Sequence, residues 1–368
     1  MDTTDWGIHC LERAVARLQP EEPVANHLLG VPTVEAMLGI ATDAGEIELE
    51  RKQVLADIES RLYRKKAGRA GEEAVEQTLS EVIFPVGTQV FRNLSLLIRK
   101  NFRIEIDVLI LTPVFALILE VKNIAGTLSF NEEEGKTVRI RENGEIDEFD
   151  CYVHQLDRQI SGLNQFLAIH RITLPVHGVI VLSNQNTIVK KRPITLPLIY
   201  RKQLARHFRS LIATGPPLTP RAFDYLARLF SEGTPESKGL PLCEKMDFNP
   251  ALFRPGVLCL ICHRQITNAR MRSWHCKTCD LPGREAVRQA VEDRLILIEP
   301  KITNKQCREF LQLRYSSQAT RVLKSLQLVM SGRPPATSYH KEEAGPLKWA
   351  EDYVLNDSRD IRTGRDGM

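Results

Sequence analysis

Hydrophobic and polar positions along the chain fall into a few sharply patterned stretches. Two short apolar runs, Ile104–Leu111 and Phe115–Val121, are rich in Ile, Leu and Val and read as buried strands. They part at Thr112-Pro113, because Pro113 cannot continue a central ladder. Phe91–Ile98 and Val176–Leu182 share that strand-like character. Helical spacing instead marks Val75, Leu79, Val82 and Ile83, just after Gly68-Arg69-Ala70-Gly71-Glu72-Glu73, and Ile160, Leu163, Leu167 and Ile169 within Tyr152–His170. Nearer the start, Leu11–Leu18 and Val34–Leu38 supply apolar positions interrupted by Pro20, Pro23 and Pro32, and a longer charged helix follows over Ile47–Tyr63.

Inside the two central runs lie charges that burial makes costly. Asp107 sits mid-run in the first, and Glu120 and Lys122 close the second. Side chains alternate along a strand, so Glu120 and Lys122 share a face while Leu119 and Val121 take the other. An isolated buried carboxylate costs several kcal/mol, so this set implies either mutual pairing, as in a structural Glu120–Lys122 ion pair, or a bound cation. Carboxylate oxygens are hard ligands suited to Mg²⁺ or Mn²⁺.

Gly-Glu ahead of one helical pattern, an aspartate in one strand, Glu-x-Lys in the next and a glutamine in the helix containing HQLDRQ together resemble the nuclease-related domain, NERD, of the PD-(D/E)xK nuclease superfamily. The resemblance implies a restriction-endonuclease-like α/β sandwich. It places the family's glutamate on Glu72, its strand aspartate on Asp107, its Glu-x-Lys on Glu120 and Lys122, and its helical glutamine on Gln155. Ahead of that glutamine, where relatives carry a proline-containing turn, this chain has Tyr152-Val153-His154. The implied activity is metal-dependent hydrolysis of DNA or RNA, with Asp107 and Glu120 holding Mg²⁺. The C-terminal part resembles longer bacterial members that carry a four-cysteine zinc ribbon and a helical segment.

A decoy lies at Gly135-Lys136-Thr137, which resembles the end of a phosphate-binding loop, yet Phe130 occupies the position of the required preceding glycine. A turn between strands Thr127–Phe130 and Thr137–Arg141 is expected instead. The chain has no H-E-x-x-H, G-x-S-x-G or G-x-G-x-x-G pattern, which argues against zinc proteases, α/β-hydrolases and enzymes with a dinucleotide or other organic cofactor.

Cys259-Leu260-Ile261-Cys262 and Cys276-Lys277-Thr278-Cys279 are paired C-x-x-C knuckles. That spacing predicts a closed, structural Cys₄ zinc site, with Arg, Asn and Gln in a hairpin loop between the knuckles. His263 and His275 are neighbours of the ligands, since four better-spaced ligands exist. Beyond them, an amphipathic helix over Arg284–Ile298, a helix capped by Thr303-Asn304 and another capped by Ser316-Ser317 precede a hairpin pattern around Ser331-Gly332-Arg333-Pro334-Pro335. The order predicts a winged helix-turn-helix with Gln318, Thr320, Arg321 and Lys324 on the recognition helix. A small helical cap on the ribbon is the alternative.

At 368 residues the chain divides into a helical extension over residues 1–65, the nuclease-like domain over 66–215, a helical linker over 216–250, the ribbon over 251–283, the winged-helix-like module over 284–340 and a flexible tail over 341–368. Net charge is only +4, but residues 251–340 hold 15 Lys and Arg against 6 Asp and Glu. A basic segment of this kind fits a nucleic-acid partner. The start lacks a signal-peptide pattern, no apolar stretch approaches the ~20 residues that cross a bilayer, and the four other cysteines are scattered singly. A cytoplasmic protein with reduced thiols and no membrane partner is expected. A protein that binds nucleic acid through its C-terminal module, without turnover, is the rival to the enzyme.

Overall fold

A computed structural model describes residues 3–20, 43–211, 216–232, 240–266, 274–333 and 336–342. Val34–Leu38, residues 267–273 between the knuckles, Pro334-Pro335 and the expected tail from residue 343 lie outside the described residues. The chain forms two compact units, residues 63–237 and residues 5–62 together with 238–368.

Two helices open the chain, α1 (Thr3–Leu18) and α2 (Asp43–Leu79). The sequence pattern separates Ile47–Tyr63 from a helix starting near Glu72, whereas α2 is continuous through Gly68 and Gly71. A glycine inside a helix costs only ~1 kcal/mol relative to alanine. Ion pairs one turn apart, Arg61–Asp57 at 2.9 Å and Arg69–Glu73 at 3.2 Å, support the solvated side. The helix ends at Leu79, so Ile83, expected on its apolar face, is exposed.

In the unit 63–237, the strands β1 (Gln89–Arg99), β2 (Phe102–Leu111), β3 (Ala116–Lys122), β7 (Val176–Leu182) and β9 (Leu198–Tyr200) form one sheet in that order. The first three are antiparallel, and β3–β7–β9 are parallel. The Thr112 N–H and hydroxyl both donate to the Phe115 carbonyl, closing the β2–β3 turn around Pro113. Six of the seven β3 residues are buried, because both sheet faces are covered. Leu109, Leu111 and Ile118 meet helix α3 (Tyr152–Ile169), and Val108, Ile110 and Leu119 meet Val75 and Leu79 of α2 and Phe208 of helix α4 (Leu204–Ser210). This is the α/β sandwich that the sequence predicts.

A second sheet, β6–β5–β4–β8, comprises β4 (Gly126–Asn131), β5 (Lys136–Ile140), β6 (Ile146–Asp150) and β8 (Thr187–Lys191). Gly135-Lys136-Thr137 lies at the turn and start of β5, with Gly135 at φ +69°. Helix α5 (Pro220–Glu232) falls in the segment expected to be a linker, yet Phe223, Leu226 and Phe230 join the core beneath the larger sheet. Its apolar face makes it part of the domain.

In the other unit, Leu11, Ala14 and Leu18 of α1 pack with Ile58, with Leu242 and Cys243 of the short helix α6 (Leu242–Met246), and with Leu252, Phe253, Ile296 and Leu297. The N-terminal residues are therefore core partners of C-terminal segments rather than a separate extension. Helix α7 (Arg284–Leu297) follows two small hairpins, β10 (Val257–Leu258) with β11 (Gln265–Ile266) and β12 (His275–Cys276) with β13 (Leu281–Pro282). Then come β14 (Lys301–Thr303), α8 (Asn304–Phe310), α9 (Ser316–Ser325), β15 (Val329–Ser331) and β16 (Ser338–His340), with a three-stranded sheet in the order β14–β16–β15. The described elements of this segment thus run helix, strand, two helices and two paired strands. No helix among the described residues is long and apolar enough to cross a membrane.

Candidate active site

The antiparallel register pairs Val108 with Leu119, so the next step of the ladder brings Asp107 opposite Glu120. Both lie on the α3 side of the sheet, as alternation from Leu109 and Ile118 requires. At this point the ladder opens, and the Asp107 carboxylate accepts the Val121 N–H at 2.8 Å. Glu120 is fully buried. Its Oε1 lies 2.6 Å from the Lys122 ammonium, and its Oε2 accepts from Gln159 at 2.6 Å. Lys122 also donates to Gln155 at 3.1 Å and stands 4.4 Å from the centre of the Tyr152 ring.

Helix α3 reaches these groups because it can press close to β7. A Cβ on Gly178 would come within 2.7 Å of Ile160 and 2.8 Å of Leu156. The same face of α3, one turn apart, then carries Gln155 to Lys122 and Gln159 to Glu120. Gln159 also donates to the Glu105 carbonyl at 2.8 Å, which fixes its amide. The sequence reading passed over Gln159. Its spacing of four from Gln155, matching the same-face pair Glu120 and Lys122, is the signal that could have found it.

Glu72 stands mid-helix in α2, with its carboxylate 3.8 Å from Arg69. Its neighbour Gly71 sits so close to the ends of β3 and β7 that a Cβ would fall 2.6 Å from Asn123 and 2.8 Å from Ser183. Asn123 in turn donates to the Ala67 carbonyl at 2.8 Å and ties the helix there. Burial and the Glu120 charge push the Asp107 carboxyl up to about 8. The Val121 N–H and Lys122 oppose them, and Glu72 adds to the rise. Glu120, Lys122 and Gln155 therefore meet through direct contacts, with Asp107 at the adjoining position of β2 and Glu72 near enough to act on the Asp107 charge. Glu72, Asp107 and Glu120 do not form a compact ligand group of three, since the four cysteines are the one such group among the described residues.

The ligand atoms of Cys259, Cys262, Cys276 and Cys279 all lie within 4.8 Å of one another. Zinc–thiolate bonds of ~2.3 Å imply sulfur separations of about 3.8 Å, so the cluster is compatible with a structural zinc. Each knuckle turns through a left-handed residue just after its second cysteine, His263 at φ +53° and Asp280 at φ +53°. His275 faces Asp280 at 3.2 Å.

The four residues expected to read nucleic acid from α9 divide into two kinds. Gln318 accepts the Tyr315 N–H at 3.0 Å, and Thr320 accepts from Asn304 at 2.7 Å while donating to the Ser316 carbonyl. These two hold the helix start and join α8 to α9. Arg321 and Lys324 are exposed on α9, and Arg314, in the bend that precedes the helix, is exposed as well. The guanidinium of Arg314 lies 5.3 Å from the centre of the Tyr315 ring.

Comparisons with curated proteins and with solved structures give no match. Residues 67–183 match the family model NERD, the nuclease-related domain. That span holds Glu72, Asp107, Glu120, Lys122, Gln155 and Gln159, so the segment that carries the candidate site is the part of the chain similar to the nuclease-related domain.

Proposed function

We propose that the chain is a metal-dependent nuclease that hydrolyses phosphodiester bonds in DNA or RNA. The observation that carries this reading is the Lys122–Glu120 contact on the sheet face that also carries Asp107 at the adjoining position of β2. The donor set fits a divalent cation. Asp107 and Glu120 offer hard oxygens, and a carboxyl pushed up to about 8 marks a group short of positive charge. Asp107 and Glu120 would hold Mg²⁺ or Mn²⁺. When bound, the cation supplies charge neutralisation at the phosphate and acidifies water.

The protein's own residues do the rest. Lys122, held by Gln155 and the Tyr152 ring, orients the attacking water or meets the phosphate charge. Glu72 accepts a hydrogen bond from water at the edge of the site, and Gln159 keeps Glu120 from turning away. The water oxygen forms the new bond to phosphorus as it gives up a proton to solvent, the bond to the leaving oxygen breaks, and that oxygen takes a proton from solvent. The Cys₄ cluster would hold zinc as a structural element, and Arg314, Arg321 and Lys324 would grip phosphates.

The exposed basic row of α9 also supports a second reading, a nucleic-acid-binding protein without turnover. Labelled DNA and RNA incubated with the full chain in Mg²⁺, Mn²⁺ or EDTA separate the two. Metal-dependent cleavage that disappears in both Asp107→Ala and Lys122→Ala is the expected result. Salt-sensitive binding with no cleavage would replace the nuclease by the binding protein.

A further inference from the structure

Beyond the carboxyl ends of β7 and β9 lies a cleft of about 220 Å³ whose polar lining is Ser183, Asn184, Gln185, Tyr200, Arg201 and Lys202. Clefts at the carboxyl ends of parallel strands are common ligand sites in open α/β sheets. The lining has two cations, amides and hydroxyls, and no carboxylate among the described residues. Arg201 donates through Nη1 to the Ala74 carbonyl at 3.1 Å, which fixes the guanidinium, and its Nε is buried with no hydrogen-bond partner among the described residues. Lys202 is exposed at the rim. Such a lining selects an anion.

Its position relative to the carboxylates says which anion. Lys122 pairs with Leu182 in the parallel ladder, and Leu182 pairs with Tyr200. Strands lie ~4.8 Å apart, so the Tyr200 wall stands about 10 Å from the Lys122 backbone. The Ser183 N–H donates to the Lys122 carbonyl at 3.1 Å, so the cleft and the site share a rigid edge.

We propose that this cleft binds a non-scissile phosphate of the substrate strand, a few nucleotides from the bond cut at Asp107 and Glu120, with Arg201 and Lys202 as its cations. The proposal rests on the nuclease reading above. It makes the cleft a register device: a strand seated there presents a fixed phosphate to Lys122.

The test uses the full chain and a set of end-labelled oligonucleotides, each with one phosphate replaced by a neutral methylphosphonate. With wild type, one position away from the cut should lower kcat/KM about tenfold, the scale of a lost charge-assisted contact. In Lys202→Ala, kcat/KM for the unmodified strand should fall several-fold, and the penalty at that position should shrink because one of its two cations is gone. Lys202→Arg should restore both. A penalty of unchanged size in Lys202→Ala, or none at any flanking position in wild type, overturns the proposal. If wild type cuts no strand in Mg²⁺ or Mn²⁺, the nuclease reading fails on its own. Fluorescence anisotropy of the same strands then judges the cleft: a position-specific loss of affinity that Lys202→Ala reduces supports phosphate binding, and uniform affinities overturn it.

Discussion

Gln159 binds Glu120 and the Glu105 carbonyl with the same amide nitrogen, at 2.6 and 2.8 Å, and so anchors a buried carboxylate to the backbone of the neighbouring strand. Gln159→Leu should keep the fold but free Glu120 to rotate. Outer partners of metal ligands are worth about 10–100-fold in affinity, so the Mg²⁺ concentration for half-maximal cleavage should rise by that order. A metal titration of cleavage measures it. Gln155→Ala should leave the metal dependence nearly unchanged and lower kcat instead, since its partner is Lys122.

The Asp107 carboxyl predicts a pH effect on the metal-free protein. Its value is about 8 in the folded chain against the ordinary 3.8, so the folded state binds the proton more tightly. Its contribution to stability is complete below about 4 and is lost as pH rises through about 8. In EDTA, Tm should fall between pH 5 and pH 9, and Asp107→Asn should flatten the fall. Mg²⁺ should restore the wild type most at the alkaline end. Superimposable melting curves for the two proteins would refute this account of the site.

The cysteine cluster should behave independently. Cys276→Ser removes one of four mutually close thiols, so protein purified under reducing conditions should lose bound zinc and melt at lower temperature. Elemental analysis finding no zinc in the wild type would end the proposal.

Asp293 is wholly buried and receives Arg13 at 2.7 Å and Arg17 at 2.8 Å. Burial raises its carboxyl, but the two guanidinium groups outweigh it and hold the value below the ordinary range. The stability it supplies is present above about 4 and is lost as pH falls further. Asp293→Ala strands two cations and should cost about 3–5 kcal/mol, read by urea denaturation at neutral pH.

On α9, replacing Arg321 and Lys324 together by Ala should flatten the dependence of log affinity on log salt by about 2. Gln318→Ala should leave that slope alone and lower Tm, because its oxygen caps the helix. A loss of slope in Gln318→Ala would return that side chain to the binding surface.

What the sequence made legible follows from how local each signal is. Asp107 and Glu120 stood out because charges inside β-branched and leucine-rich runs have few explanations, and alternation placed Lys122 beside Glu120 without any structure. Gln318 and Thr320 looked like readers because exposed polar residues at a helix start can serve as caps or contacts equally well, and only the bonds to Tyr315 and Asn304 decide. The union of Arg13 with Asp293 spans 280 positions and leaves no trace in either neighbourhood. The strands β6 and β8 were missed for a related reason: each is short and half-exposed, so its pattern is too weak to separate from a loop.

The neighbours of β3 are very unequal in sequence distance. Its antiparallel partner β2 arrives with it through a tight turn, but its parallel partner begins only at Val176. At about 5–20 residues per second on the ribosome, the open edge of β3 waits several seconds for β7 to emerge. Throughout that interval an apolar strand with Glu120 embedded in it can pair with any passing chain. Nascent chains halted before Leu182 should therefore need a chaperone to stay soluble, and slowing synthesis between residues 122 and 176 should lower the yield of native protein more than slowing it after the strand is closed.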